Sequence, residues 1–150
     1  MLGRLPTKDR LLSWGVSVPA ACVLCSNGIE SHQHIFFECS YSVDVWSRFC
    51  GRFITSPPPD LPAIVALIAN YQGQFPSQVK PLLKLILQVI IYNLWREHNA
   101  RIFKNVSLPP GSFFKKVDRA LRDRLLSLSP APSSSHSLLE LYFWFIAPYS

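Results

Sequence analysis

Three cysteines and a histidine crowd into eighteen residues of this 150-residue chain: Cys22, Cys25, His34 and Cys39, spaced Cys-x2-Cys-x8-His-x4-Cys. Two thiolates three residues apart can grip one metal ion from a tight turn. Asn27-Gly28 supplies a second turn that brings the chain back. His34 and Cys39 then close a tetrahedron. Soft thiolates with one imidazole suit Zn2+, and a closed four-ligand site is structural, with no open position for a reacting water. His32 competes with His34 for the nitrogen position. His34 is preferred because it leads straight into Ile35-Phe36-Phe37, an apolar wall suited to packing against the site. Two other readings stand beside the metal site: a disulfide between two of the four cysteines, and ordinary buried cysteines beside a surface histidine. The chain shows neither a signal peptide nor a dense cysteine framework, which counts against the disulfide.

Around this motif lie Arg4-Leu5-Pro6-Thr7-Lys8-Asp9-Arg10-Leu11, Glu30-Ser31-His32-Gln33-His34-Ile35-Phe36-Phe37-Glu38-Cys39 and Val45-Trp46. In this order they resemble the zinc-binding domain found downstream of reverse transcriptase in plant LINE-type (non-LTR) retrotransposons. A later stretch, Tyr92-Asn93-Leu94-Trp95-Arg96-Glu97-His98-Asn99-Ala100-Arg101-Ile102-Phe103, is similar to the segment that follows it in the same proteins, with His98 where the family has Arg. The resemblance carries a metal role onto Cys22, Cys25, His34 and Cys39 only. It also implies more sequence before the Leu-Pro-Thr motif than this chain has. A front-truncated copy, with part of its core lacking a cover, is therefore expected.

Hydrophobic residues make up 49% of the chain and charged residues 16%, which excludes a disordered tail. The formal net charge is +6, which favours an anionic partner such as nucleic acid. Residues 80–128 carry ten Lys/Arg against Glu97, Asp118 and Asp123, a net of +7, whereas everything before Phe53 sums to +1. Any basic face therefore sits behind the zinc motif rather than on it. No stretch reads as a membrane span or a leader. A reducing intracellular compartment fits the cysteine use, and the resemblance extends this to the nucleus.

The expected fold is mainly α: a small helical domain around a structural CCHC zinc site at 1–55, a helical pack with basic faces at 56–128, and a polar spacer with an aromatic C-terminal segment at 129–150. Thr7 is expected to cap a helix from Lys8 to about Trp14, with Leu11, Leu12 and Trp14 on an apolar side and Gly15 as its stop. Ser40 is expected to cap a helix to about Phe53, with Val45, Trp46 and Phe49 packed on Phe36 and Phe37. Base stacking is the alternative use of Phe36, Phe37 and Trp46. Cys50 reads as a buried thiol. Ser56-Pro57-Pro58-Pro59 forms a stiff linker, and Asp60 caps a short apolar helix to Asn70.

Ser77 is expected to cap a long helix from Gln78 to about Lys104, whose broad apolar face (Leu82, Leu83, Leu85, Ile86, Val89, Ile90, Leu94, Trp95) implies burial on more than one side. Ser112 is expected to cap a basic amphipathic helix to about Leu128, with Phe113, Phe114, Val117, Ala120, Leu121 and Leu125 inward and an Asp118–Arg122 pair outward. Pro130 to Ser135 is a polar spacer. The last fifteen residues are a docked helix, a short strand or an unpaired sticky end, and the last of these would offer a surface to a protein partner.

Catalysis finds little support: no paired-Asp polymerase motif, no RNase H carboxylate set, no Gly-rich phosphate loop and no Gly-x-Ser-x-Gly. His98 and His136 stand without a paired nucleophile and read as core or surface residues. The leading functional expectation is therefore a non-enzymatic, zinc-bearing, nucleic-acid-binding accessory domain. Its CCHC order resembles a retroviral knuckle with a longer middle loop, and Arg96, Arg101, Lys104, Lys115, Lys116, Arg119 and Arg122 are the candidate phosphate contacts. A structural zinc module for protein interaction is the rival, favoured by the weak charge of the zinc loop. A retroelement relic without selected function is the third reading.

Overall fold

The computed structural model describes residues 5–50, 60–128 and 137–146. The 56–59 linker, the 130–135 spacer, His136 and the side chain of Cys50 lie outside the described residues. The architecture is mainly helical, with no strand among the described residues: α1 (Lys8–Ser13), a π-helical turn (His34–Glu38), α2 (Ser40–Cys50), α3 (Leu61–Ala69), α4 (Pro76–Phe103), α5 (Pro110–Leu126) and α6 (Leu138–Ile146). No described helix is long and apolar enough to cross a membrane.

Helix α4 is the axis of the molecule. It packs against α2, α3, α5, α6 and the π turn. Val79, Leu82, Leu83, Ile86, Leu87, Ile90 and Leu94 are buried along it, so its broad apolar face is used on several sides as expected. Each such fully buried side chain contributes about 1.5–3 kcal/mol relative to exposure. The helix starts earlier than Ser77. Pro76, with its preset φ and no N–H to satisfy, opens the first turn after Phe75 in a left-handed conformation, which leaves Ser77 inside the helix. The same rule moves the start of α5 to Pro110, so Ser112 caps nothing. Phe113, Phe114, Val117, Leu121 and Leu125 are buried as expected.

Only Asp60 caps with its side chain as anticipated, accepting the N–H of Ala63 at 2.8 Å. Thr7 does not cap α1. Its hydroxyl donates to the Asp9 carboxylate. The N–H groups that open α1 are met instead from across the chain, Lys8 by Glu30 Oε1 at 3.1 Å and Asp9 by the Glu30 carbonyl at 3.2 Å. Helix α1 buries no residue, and Leu12 and Trp14 are exposed, contrary to the expected apolar side. Its end is as read: Gly15, at φ +82°, and Val16 return N–H bonds to Leu12 and Leu11 in a Schellman closure.

The aromatic residues beside the motif are core. Phe37 stacks on Trp46 at 5.8 Å between ring centroids, and the Trp46 indole N–H donates to the Phe36 carbonyl. Helix α5 joins them through Phe113 on Tyr41 and Phe114 on Phe49. Of the three readings of the C-terminal segment, the docked helix is observed: Leu141 and Tyr142 are buried, and the Tyr142 hydroxyl donates to Asp118. One cluster of buried residues runs from Cys22 to Tyr142, so the Cys/His motif and the helices behind it share a core.

Candidate metal centre

The donors of the motif converge. One ligand atom from each of Cys22, Cys25, His34 and Cys39 lies within 4.8 Å of the others. Cys22 Sγ and Cys39 Sγ are 4.0 Å apart, and Cys25 Sγ is 3.3 Å from His34 Nε2. Ideal tetrahedral zinc, with Zn–S about 2.3 Å and Zn–N about 2.0–2.1 Å, separates two sulfurs by about 3.8 Å and a sulfur from a nitrogen by about 3.5 Å. The four donors fit that ion. The three cysteines in it are free thiols, which disposes of a disulfide among them. His32 is elsewhere: its Nε2 lies 2.8 Å from the Leu5 carbonyl and ties down the segment before α1.

Local backbone explains the convergence. The Cys22–Cys25 loop folds back as a small hairpin, with Cys22 N–H bonded to the Gly28 carbonyl, Glu30 N–H to that of Ala20, and an antiparallel bridge between Ala21 and Ile29. Ser26 and Gly28 both take positive φ, at 61° and 71°. The Asn27 N–H points at Cys25 Sγ at 3.4 Å. On the far side, the Cys39 N–H bonds to the His34 carbonyl at 2.7 Å, an i→i+5 closure. An ordinary helix would put residues five apart about 140° round the axis from each other. The wider turn brings both donors to one side while Ile35, Phe36 and Phe37 stay buried.

Gly28 is required twice. Its φ disfavours any side chain, and a Cβ there would meet His34 Cε1 at 2.9 Å. Gly28→Ala is expected to cost about 1–2 kcal/mol in backbone strain alone and to push the imidazole off its ligating position. Competition with a chromogenic chelator should read this as weaker metal binding. Retained affinity would show that the ring is not held there.

The buried Cys22 and Cys39 sulfurs face each other across the site at 4.0 Å. Cys22 is held down to about 5, chiefly by the hydrogen bond from the Cys39 thiol, with burial opposing and the N–H groups of Cys25 and Leu24 assisting. Cys39, as the donor, is pushed far up. Cys22 and Cys25 from the hairpin and His34 and Cys39 from the π turn would hold a zinc ion between them, which would cross-link the two segments.

Behind the donors stands a polar layer that spacing along the chain does not reveal. Glu30 is fully buried, and its carboxylate meets His98 Nε2 at 2.8 Å and Lys8 Nζ at 3.9 Å. Burial pushes the Glu30 carboxyl up, but the hydrogen bond and charge of His98, with help from Lys8, outweigh it and hold the group below its ordinary range. The His98 ring stacks on Trp95 with centroids 4.6 Å apart. One residue before His98, the buried Glu97 carboxylate accepts from Arg101 Nε at 2.9 Å and the Leu108 N–H at 2.8 Å. The Arg101 guanidinium also donates to the carbonyls of Val23, Leu24 and Leu108, and it lies over the Tyr41 ring. Residues 97, 98 and 101 thus bolt α4 to the hairpin that carries Cys22 and Cys25.

The remaining basic residues fall in separate places. Arg101 is committed inward. Arg122 pairs with Asp118 at 3.0 Å, as expected from their spacing. Arg96 is exposed on α4 over Tyr92, and Lys104 is exposed just past the end of α4. Lys115, Lys116 and Arg119 are exposed along α5.

Residues 1–46 match the family model described as zinc-binding in reverse transcriptase. No curated protein and no solved structure matches the chain. The match and the four converging donors together support zinc binding, and neither brings a catalytic group with it. The matched segment holds all four donors and Glu30, whereas Glu97, His98 and Arg101 lie beyond it.

Proposed function

We propose that this protein is a non-catalytic, zinc-stabilised accessory module that binds nucleic acid in the nucleus and derives from the reverse-transcriptase region of a plant LINE-type retroelement. The observation that carries the binding step is the row Lys115, Lys116 and Arg119. These side chains are exposed on α5 and have no ion pair among the described residues. Arg119 lies four residues from Lys115 and three from Lys116, so the three neighbour one another on the helix surface. Phosphate contacts need such unpaired, solvent-facing cations on a rigid element. Through Phe113 and Phe114, α5 is fastened to α2 and hence to the zinc-bearing turn, so metal loss would loosen the platform as well.

The test is binding of the zinc-loaded protein to labelled single-stranded RNA, single-stranded DNA and duplex DNA across a salt series. Affinity should fall steeply with salt. Lys115→Ala/Lys116→Ala/Arg119→Ala should weaken binding to all sequences alike and reduce the salt slope by about one for each contact removed. A protein-interaction module without nucleic-acid binding is the second reading. The inward commitment of Arg101 favours it, because that removes one cation from the candidate surface. Absence of binding at low salt, with one zinc per chain, would establish it.

A further inference from the structure

Helix α3 contains no charged residue, and only Ile64 and Ile68 of it are buried. Val65 and Leu67 stand 51% and 47% exposed. Beside α4, at the start of α3, lies a groove of about 330 Å3 lined by Leu5, Leu61, Leu87, Ile91, Tyr92 and Trp95. Gln88 also lines it, and no charged side chain does. Tyr92 is 61% exposed at its edge. A contiguous apolar surface of this kind on a soluble face marks a contact site.

The rim says what kind of contact. Lys84, Gln88, Tyr92 and Arg96 follow one another at four-residue steps on the exposed side of α4. A cation therefore stands at each end of the apolar stretch, about 18 Å apart along the helix. Neither has an ion-pair partner among the described residues, and no acidic residue lines the groove. A second copy of this chain seated on the same face would set Lys84 and Arg96 against like charges. A strand of nucleic acid would satisfy the cations and could stack one base on Tyr92, but it would leave the aliphatic side chains of Leu5, Leu61, Leu87 and Ile91 unmatched.

We propose that the α3–α4 groove docks a short helical segment of another protein, with apolar side chains for its lining and carboxylates at both ends for Lys84 and Arg96. This surface lies on a different helix from the α5 row, and it holds whether or not that row binds nucleic acid. Helix-in-groove recognition supplies the geometry, with affinity from the apolar anchors and orientation from the flanking charges.

The experiment selects displayed random peptides of about sixteen residues, long enough as a helix to reach both cations. The bait is the full zinc-loaded chain, with Tyr92→Glu as counter-selection. Tyr92 is on the surface, and circular dichroism confirms that the variant folds. Enriched peptides should carry apolar residues at helical spacing with Asp or Glu at both ends. A synthetic winner, followed by fluorescence anisotropy, should lose about tenfold or more in affinity for Lys84→Glu/Arg96→Glu, and a version with lysine flanks should regain it on that variant. No enrichment over Tyr92→Glu, enrichment without acidic bias, or indifference to the charge reversal overturns the proposal. So does self-association abolished by Tyr92→Glu, which assigns the face to a second copy. Oligonucleotide binding abolished by the same substitution also overturns it and assigns the groove to nucleic acid.

Discussion

Chelation of the metal at neutral pH is expected to abolish the cooperative unfolding of the native protein and to melt at least residues 20–50. The hairpin of residues 20–30 rests on a few main-chain bonds and one isolated bridge, and α1 buries nothing. Glu30–His98 and the Arg101 bonds to Val23 and Leu24 tie it to α4, and the larger restraint would be the cross-link that an ion held by Cys22, Cys25, His34 and Cys39 supplies. In zinc-finger peptides such a site is worth about 10–16 kcal/mol at pH 7, against a whole-domain stability of about 5–15 kcal/mol. Loss will not stop at the hairpin. Phe36 and Phe37 sit within the turn that carries His34, and they pack on Trp95 and Trp46. Near-UV circular dichroism should therefore collapse while much of the far-UV helical signal from α4 and α5 persists. Re-addition of zinc should restore both. Cobalt substitution gives an independent reading, since thiolate-to-cobalt absorption should appear with one ion per chain and weaken in Cys39→Ser. A chelated protein with an unchanged melting curve would show that the four donors hold no structural metal.

The second large effect belongs to Arg101. Arg101→Ala removes the cation from a buried carboxylate, since Glu97 is 2% exposed, and strips donors from the carbonyls of Val23, Leu24 and Leu108. Breaking a buried pair by deleting one partner costs about 3–5 kcal/mol, because the remaining charge is left unpaired. Arg101→Lys should rescue little. A single ammonium cannot reach Glu97 and three carbonyls with the planar fork that a guanidinium offers. Two readouts separate a clamp from a mere core residue. Urea titration should show the stability loss, and chelator competition should show weaker zinc binding although Arg101 is no ligand. A variant that unfolds earlier yet binds zinc as tightly as the native protein would disprove the clamp.

Some of this is legible in the amino-acid sequence. Cys22, Cys25, His34 and Cys39 lie within eighteen residues, and ligation chemistry restricts both type and spacing, so local sequence was enough to single out the four side chains that converge. The inward faces of α4 and α5 were equally plain, because helical periodicity is a local property. Helix starts were read less well at Ser77 and Ser112. A proline at the first helical position competes with a serine cap nearby, and in α4 and α5 proline won. The π-helical closure between His34 and Cys39 left no mark at all, since it answers to the metal geometry rather than to residue preference.

By itself, then, the sequence determined a helical chain with a CCHC site at its front and an excess of positive charge behind. Only the tertiary structure decided which charges are free. Arg101 and Val23 are 78 residues apart in the chain, and His98 and Glu30 are 68 apart. No periodicity or spacing rule reaches that far. A histidine that looked solitary became half of a buried pair, and an arginine at a helix end became the bolt on the zinc hairpin. The physical reason is desolvation: a carboxylate such as Glu30 or Glu97 can be buried only where the fold delivers its partner, and which partner that is depends on how the whole chain packs.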